Sequence, residues 1–206
     1  MEKATEKYIS TISYLSKLYD YCNLKLFNSE LVRPVITVQY DERNKTRGWW
    51  SVKKVWKEND NDEGEHELNM TAQELNRPIT DIAATMIHEM CHQYASCHSI
   101  KDTSRSGVYH NKSYKNIVEA HGLIVEFCKT FGWSKTKLTS ETAALIAEFV
   151  NDNPDSIIYR LPAVKNGVKV SSTRKYICPA CGNSVRATKE LRIMCVDCNE
   201  LMRSEL

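Results

Sequence analysis

The sequence has no long run of apolar residues among its 206 positions. A helix that spans a bilayer needs about 20 predominantly apolar residues in succession, so we expect no membrane span. The N-terminal segment, residues 1–7, alternates charged and small residues and lacks the apolar core of a signal peptide. Internal repeats and low-complexity tracts are missing as well. These absences favour a folded protein that is not inserted in a membrane.

Glycine and proline are missing from residues 80–95, so nothing there interrupts a helix. Thr80 is suited to cap the N-terminus, and Asp81 suits the positive end of the helix dipole. Apolar residues recur at three- and four-residue spacing and predict one buried stripe. The stripe consists of Ala83, Ile87, Met90, Cys91 and Tyr94. We predict a helix that buries this face and turns its polar face toward a cleft.

The polar face carries His-Glu-Met-Cys-His at positions 88–92. Residues four apart lie on the same face of a helix, so His88 and His92 can reach one metal ion. Glu89 lies close enough to touch a metal-bound water without being a ligand. Zinc held by neutral imidazoles lowers the pKa of such a water to about 7, and a neighbouring carboxylate can take its proton. The pattern indicates a catalytic zinc site; an ordinary helix with two coincidental histidines is the alternative.

A catalytic zinc also needs a third protein ligand and one open position, and two histidines compete for this role. His98 follows His92 by six residues, the offset found in metzincins. That arrangement depends on a glycine that turns the chain back, and this chain has Ala95 there. His110 follows a polar loop and precedes a second helical pattern.

Several segments together resemble the SprT-like (Spartan-related) family of zinc metalloproteases. The first is the 88–92 segment, followed by Lys-Asp-Thr-Ser-Arg at 101–105 and Tyr-His-Asn-Lys at 109–112. Upstream, residues 23–31 are similar to the entry segment of that family, and Gly-Trp at 48–49 to its glycine-aromatic strand. The resemblance extends over nearly the whole chain.

This resemblance implies the roles of four residues. His88, His92 and His110 would bind the catalytic zinc, and Glu89 would be the general base, which favours His110 over His98. It also implies an α+β fold with a SprT-like zincin core, in which helices pack on a small mixed sheet. Its members are associated with protein substrates bound to DNA.

Two Cys-x-x-Cys pairs near the C-terminus predict a second metal site. Cys178 and Cys181 are separated from Cys195 and Cys198 by thirteen residues. Thiolates at this spacing close a tetrahedral four-sulfur zinc site, which is structural rather than catalytic, and two disulfides are the alternative. The segment also resembles the β zinc ribbon appended to many SprT-like proteins. Thiolate sites and scattered free cysteines fit a reducing compartment, so we expect a cytoplasmic protein.

The formal net charge of +2 hides an asymmetry between the two parts of the chain. Residues 160–206 contain nine Lys or Arg against four Asp or Glu, whereas residues 1–159 contain nineteen against twenty-two. A basic ribbon on a mildly acidic body suggests contact with nucleic acid, although charge alone fits a solvated surface equally well. With the resemblance, we predict DNA contacts from Lys169, Arg174, Lys175, Arg186, Lys189 and Arg192, with Tyr176 stacking on an unpaired base.

The remaining pattern predicts supporting elements. A long amphipathic helix is expected over residues 8–26 and a shorter one over 141–150. Strands are expected at residues 35–40, 47–56, 65–70 and 156–161, and a linker at 164–173.

These features predict an α+β zinc endopeptidase of two domains. Residues 1–163 form the metalloprotease domain, and residues 164–206 form the linker and ribbon. We expect two zinc ions per chain, one catalytic and one structural, and a protein substrate held on or near DNA. Two alternatives remain: a catalytically silent DNA-binding zinc protein, and a zinc hydrolase that acts on a non-peptide amide.

Overall fold

The computed structural model describes residues 3–42, 46–154, 157–162 and 173–205. The chain forms two compact units, Met1–Ala163 and Val164–Leu206. Helices and several small sheets occur together in the fold, so the predicted α+β class is confirmed. None of the helices in the described ranges combines the length and apolarity that crossing a bilayer requires.

The first unit contains four α-helices in its described part. They are α1 (Ala4–Leu26), α2 (Ile79–Cys97), α3 (Lys112–Ala120) and α4 (Ser140–Asp152). The helices predicted at 8–26, 80–95 and 141–150 lie within α1, α2 and α4. Helix α2 begins slightly earlier than predicted, because Pro78 rather than Thr80 is its N-cap. The Pro78 carbonyl accepts the first helical hydrogen bonds, from the Asp81 and Ile82 N–H groups.

Helix α2 is the central element of the core. Its predicted apolar stripe is buried as expected, except that Tyr94 is only partly buried. Helix α1 contributes a second buried row, and the Tyr19 hydroxyl on this row donates a 2.8 Å hydrogen bond to Gln93 on α2. A buried polar group is costly unless it is paired, so this bond also helps to define how the two helices pack.

A three-stranded sheet lies beside α2. It consists of β1 (Val35–Gln39), β2 (Gly48–Trp50) and β3 (Glu67–Thr71), in the order β1-β3-β2. Strand β3 is buried throughout and pairs parallel with β1 and antiparallel with β2. The continuous strand predicted at 47–56 ends at Trp50, because the Glu67 N–H bonds the Ser51 hydroxyl instead of a backbone carbonyl. An isolated antiparallel bridge between Trp56 and Glu65 follows.

A second sheet was not predicted from the sequence. It contains β4 (Thr103–Ser104), β5 (Tyr109–His110), β6 (Leu123–Cys128) and β7 (Gly132–Leu138), in the order β4-β5-β7-β6. Strands β6 and β7 form a hairpin, and β7 pairs parallel with β5 at Gly132 and His110. A Cβ at Gly132 would lie 2.0 Å from the His110 carbonyl oxygen, and its φ of +71° favours glycine.

The described part of the second unit contains five short strands. They are β8 (Arg174–Ile177), β9 (Ser184–Ala187), β10 (Met194–Cys195), β11 (Glu200–Leu201) and β12 (Arg203–Glu205). Strand β8 pairs with β9 and β12, and β10 pairs with β11.

Two predictions concern the segment that joins the units. The prediction of a strand at 156–161 is wrong for the described residues 157–161, which belong to no strand. In this segment the Arg160 N–H donates to the Ala72 carbonyl. The predicted linker at 164–173 lies outside the described residues, apart from Thr173.

Candidate metal centres

Three of the predicted site histidines lie together in the first unit. Helix α2 presents His88 and His92 one turn apart, and β5 presents His110 just before α3 begins. One ring nitrogen from each lies within 4.8 Å of the others, so the three could hold one metal ion. His98 is not part of this group. It is the exposed C-cap of α2, and its Nδ1 lies 2.9 Å from the Tyr94 carbonyl oxygen.

Acceptors on neighbouring elements orient two of these rings. The Nδ1 atom of His92 lies 2.5 Å from the Asp102 carboxylate, and Nδ1 of His110 lies 3.1 Å from the Phe131 carbonyl oxygen. Neither oxygen can donate, so both Nδ1 atoms carry the proton. With the proton on Nδ1, the nitrogen with which each ring can bind a metal is Nε2. These two Nε2 atoms lie 3.1 Å apart, close enough to be ligands of one metal ion.

His88 has a comparable arrangement. Its Nδ1 lies 3.2 Å from the Thr136 hydroxyl on β7, and the Tyr114 hydroxyl donates to its main-chain carbonyl at 3.2 Å. Burial lowers the pKa of His88 well below its ordinary value. Burial likewise lowers the pKa of His110 to about 4. Both rings are therefore neutral at physiological pH, and the neutral imidazole is the form that binds metals.

Asp102 is a site residue to which sequence reasoning assigned no role. Burial opposes its ionisation, but the hydrogen bond and charge of His92 outweigh burial, so the pKa of Asp102 is below its ordinary value. A carboxylate that accepts the second ring proton of a histidine is the usual partner of a metal-binding imidazole. The spacing of the chain contained no signal for this contact, which joins α2 to the loop before β4.

Glu89 lies beside the histidines and is only 7% exposed. A Cβ at Gly48 would lie 3.3 Å from Glu89 Cγ and 2.7 Å from the Asn69 carbonyl oxygen, so the glycine leaves room for the carboxylate. The Trp50 N–H donates to Glu89, and burial raises the pKa of Glu89 to about 7. A cation on the nearby histidines would oppose that rise. Strand β2 is thus in direct contact with the acidic side chain of the 88–92 segment.

A buried carboxylate holds the region around β2 together. The Glu67 oxygens accept hydrogen bonds from Trp49 Nε1 at 2.8 Å, Trp56 Nε1 at 2.9 Å and Gln39 Nε2 at 2.7 Å. Three donors from separate segments therefore converge on one side chain that is 7% exposed. This explains why Trp49 is held against the sheet even though it lies on a short edge strand.

The four predicted cysteines lie together in the second unit. Their sulfur atoms are within 4.8 Å of one another, so Cys178, Cys181, Cys195 and Cys198 could hold a metal ion. The sulfurs of Cys181 and Cys195 are 3.7 Å apart. All four are free thiols rather than disulfides. A hydrogen bond from the Cys181 backbone lowers the pKa of Cys178 to about 7.

DNA-binding residues must be accessible to solvent, and the structure shows this for most of the basic residues predicted in the second unit. Lys169 lies outside the described residues. The other basic residues are exposed or, for Lys175, partly exposed. The exposed ones are Arg174, Arg186, Lys189 and Arg192.

The prediction that Tyr176 stacks on an unpaired base is wrong. Its side chain is 3% exposed, and its hydroxyl accepts the Leu191 N–H at 2.9 Å. The inward face of the short strand β8 needs an apolar side chain, and no other aromatic residue occurs between positions 173 and 206. Tyr176 packs inside the unit instead.

Comparison of the whole chain with models of known protein families, with curated proteins and with solved structures finds no match, so the resemblance to SprT-like proteases stays a prediction.

Proposed function

We propose that this protein is a zinc-dependent endopeptidase. The observation that carries the proposal is the convergence of three imidazoles beside a buried carboxylate, all next to the edge of a sheet. His88, His92 and His110 would hold the catalytic ion, and Glu89 would be the general base. This is the set of groups that peptide-bond hydrolysis at a zinc site requires.

Zinc fits both groups of donor atoms. Two nitrogens on one tetrahedral zinc are about 3.3 Å apart, because Zn–N distances are about 2.0–2.1 Å; the Nε2 atoms of His92 and His110 are 3.1 Å apart. Two sulfurs on one zinc are about 3.8 Å apart for Zn–S distances of about 2.3 Å, and those of Cys181 and Cys195 are 3.7 Å apart. We therefore propose two zinc ions per chain, the one on the four cysteines being structural.

Different residues of the chain have different roles in the proposed reaction. Zinc in the histidine site would supply a Lewis acid that polarises the scissile carbonyl and acidifies water. Glu89, held by the Trp50 N–H, takes a proton from the attacking water and passes it to the departing amine. Asp102 and the Phe131 carbonyl keep the Nε2 atoms of His92 and His110 aimed inward.

The position of β2 supports a peptide substrate. In the order β1-β3-β2, β2 is the outer strand of the described sheet, and its outward side includes the Trp50 N–H that reaches Glu89. An extended peptide that adds to such an edge binds through backbone hydrogen bonds. The backbone of such a peptide would then run past Glu89. A small non-peptide amide would have no use for a strand edge beside the site.

The proposed substrate is a protein that is bound to DNA. The support consists of the resemblance to SprT-like proteases and the exposed Arg174, Arg186, Lys189 and Arg192 in the second unit. Positive charge of this kind binds phosphates without reading sequence.

A cleavage assay on a DNA-binding protein, with and without DNA, tests the proposal. Glu89→Gln removes the base but keeps the size of the side chain, so we expect cleavage to fall about 10²–10⁴-fold while zinc content is unchanged. The matched control is Glu141→Gln, at an exposed glutamate in the first turn of α4, which should cleave like the wild type. Equal cleavage by Glu89→Gln and wild type would rule out the proposed mechanism.

A further inference from the structure

The tip of the β6–β7 hairpin carries alternating aromatic and basic residues. Positions 127–137 read Phe-Cys-Lys-Thr-Phe-Gly-Trp-Ser-Lys-Thr-Lys. The turn between the strands covers residues 129–131, so the pattern runs from one strand over the turn into the other. Nothing in the proposed hydrolytic reaction uses these side chains. We call Phe127, Phe131, Trp133, Tyr109, Lys129 and the neighbouring Lys112 the hairpin surface.

Two aromatic rings of the hairpin surface are exposed, and those of Trp133 and Tyr109 are half-buried. Phe127 is 51% exposed and Phe131 48% exposed, although large apolar side chains are ordinarily buried. The Phe127 and Trp133 rings meet edge to face, with centroids 5.3 Å apart. Together with Tyr109, Asn111 and Lys112 they line a cavity of about 510 Å³. Ligand-binding cavities have volumes of about 300–1,000 Å³.

Positively charged side chains lie beside these rings. Residues 101–137 contain seven Lys or Arg against three Asp or Glu, whereas residues 1–100 contain twelve against fifteen. Two of the cations already lie over rings: Lys115 Nζ is 5.2 Å from the Trp133 centroid, and Arg105 Cζ is 4.6 Å from the Tyr109 centroid. The mildly acidic average of the first unit therefore conceals one basic segment, and its Arg105, Lys112 and Lys115 lie beside the aromatic rings.

We propose that the hairpin surface binds single-stranded nucleic acid. Accessible rings offer faces on which unpaired bases stack, and neighbouring lysines neutralise the phosphates between those bases. An apolar peptide would pack against the rings, but the excess of positive charge would not stabilise it. A duplex would be attracted by the charge, but its paired bases cannot stack on Phe127 or Phe131. The combination favours an unpaired polyanion.

The hairpin surface borders the histidine group. The Phe131 carbonyl accepts the His110 backbone N–H at 2.9 Å and also contacts the His110 ring. A strand bound on this surface therefore passes beside the proposed zinc site. The binding inference does not depend on proteolysis, and it places the contact on the first unit rather than on the cysteine-bearing unit.

The test is the fluorescence anisotropy of a labelled oligothymidine titrated with the full chain. The double variant Phe127→Ala/Phe131→Ala loses two stacking faces and keeps every backbone atom, so we expect its dissociation constant to rise at least about tenfold. The control is Ile124→Ala, on the same strand and 54% exposed. Strand alternation turns Ile124 to the face opposite Phe127, so this variant should bind like the wild type.

A second arm measures the lysines. The slope of log affinity against log salt should become shallower by about 0.7 for each phosphate that the protein no longer neutralises. We expect this in Lys112→Gln/Lys129→Gln but not in Lys53→Gln. Zinc content, measured in every variant, reports whether the nearby site is intact. Oligothymidine binding that the aromatic variant leaves unchanged, or no binding by the wild type, would overturn the proposal. So would a loss of peptide cleavage in the aromatic variant without loss of binding, since the surface would then bind substrate protein.

Discussion

His110 is the residue on which the proposed catalytic zinc site depends most, because spacing alone left His98 as its competitor. His110→Ala should remove zinc from this site and lower kcat/KM more than about 100-fold, since removing even a hydrogen-bond partner of a metal ligand already costs about 10–100-fold. His98→Ala should leave both unchanged, because His98 is exposed and contacts Tyr94. Zinc analysis and the cleavage assay on both variants check this. Loss of zinc from His98→Ala alone would contradict the assignment.

Asp102 gives a second prediction at the same scale. Asp102→Ala leaves the Nδ1 proton of His92 without its acceptor, so the ring is less basic and less well oriented. We expect zinc affinity at the histidine site to fall about 10–100-fold, measured by competition with a chelating dye. Asp60→Ala, at an exposed acidic turn, is the control. An affinity equal to that of the wild type would mean that Asp102 does not act through His92.

At the scale of elements, local pattern was sufficient where an element is long and amphipathic. Helices α1 and α2 were predicted because their apolar residues repeat at helical spacing over several turns. The β6–β7 hairpin was missed, although Leu123 and Val125 are buried and Ile124 and Glu126 are exposed, which is strand alternation. The alternating segment is short and directly follows α3, so its apolar residues are easily assigned to the end of that helix.

The strand predicted at 47–56 shows the opposite failure. Its composition suits a strand along most of its length, yet the continuous strand ends at Trp50 and only an isolated bridge follows, at Trp56. The cause is the Ser51 hydroxyl, which replaces a backbone acceptor for the Glu67 N–H. Beyond it, backbone pairing resumes only at the isolated bridge between Trp56 and Glu65, and the Trp56 side chain also donates to Glu67 at 2.9 Å. Strand propensity depends on such neighbours more than on the strand's own residues.

The whole molecule should contain two zinc ions of different lability. Elemental analysis of the intact protein should give two zinc ions per chain, and a chelator should remove the one on the histidines first. The four-cysteine site is closed and anionic, whereas the histidine site has an open position. Cys181→Ala/Cys198→Ala should lower the content by one zinc and His110→Ala by the other. A single zinc in the intact protein would contradict the two-site proposal.

The sequence by itself determined the parts of this protein that depend on neighbours in the chain. Four-residue spacing on α2 brings His88 and His92 to one face, and two-residue spacing brings cysteines together in pairs. Helical and turn geometry act over a few residues, so these arrangements follow from local spacing alone.

Only the tertiary structure decided which distant groups complete the sites. His88 meets Thr136 from 48 positions away, and His92 meets Asp102 from 10. The same is true of the Glu89 contact with β2, the burial of Tyr176, and the aromatic rings left exposed beside His110. Contacts of this kind are set by how whole elements pack, and packing depends on the combined fit of many side chains rather than on the spacing of any few.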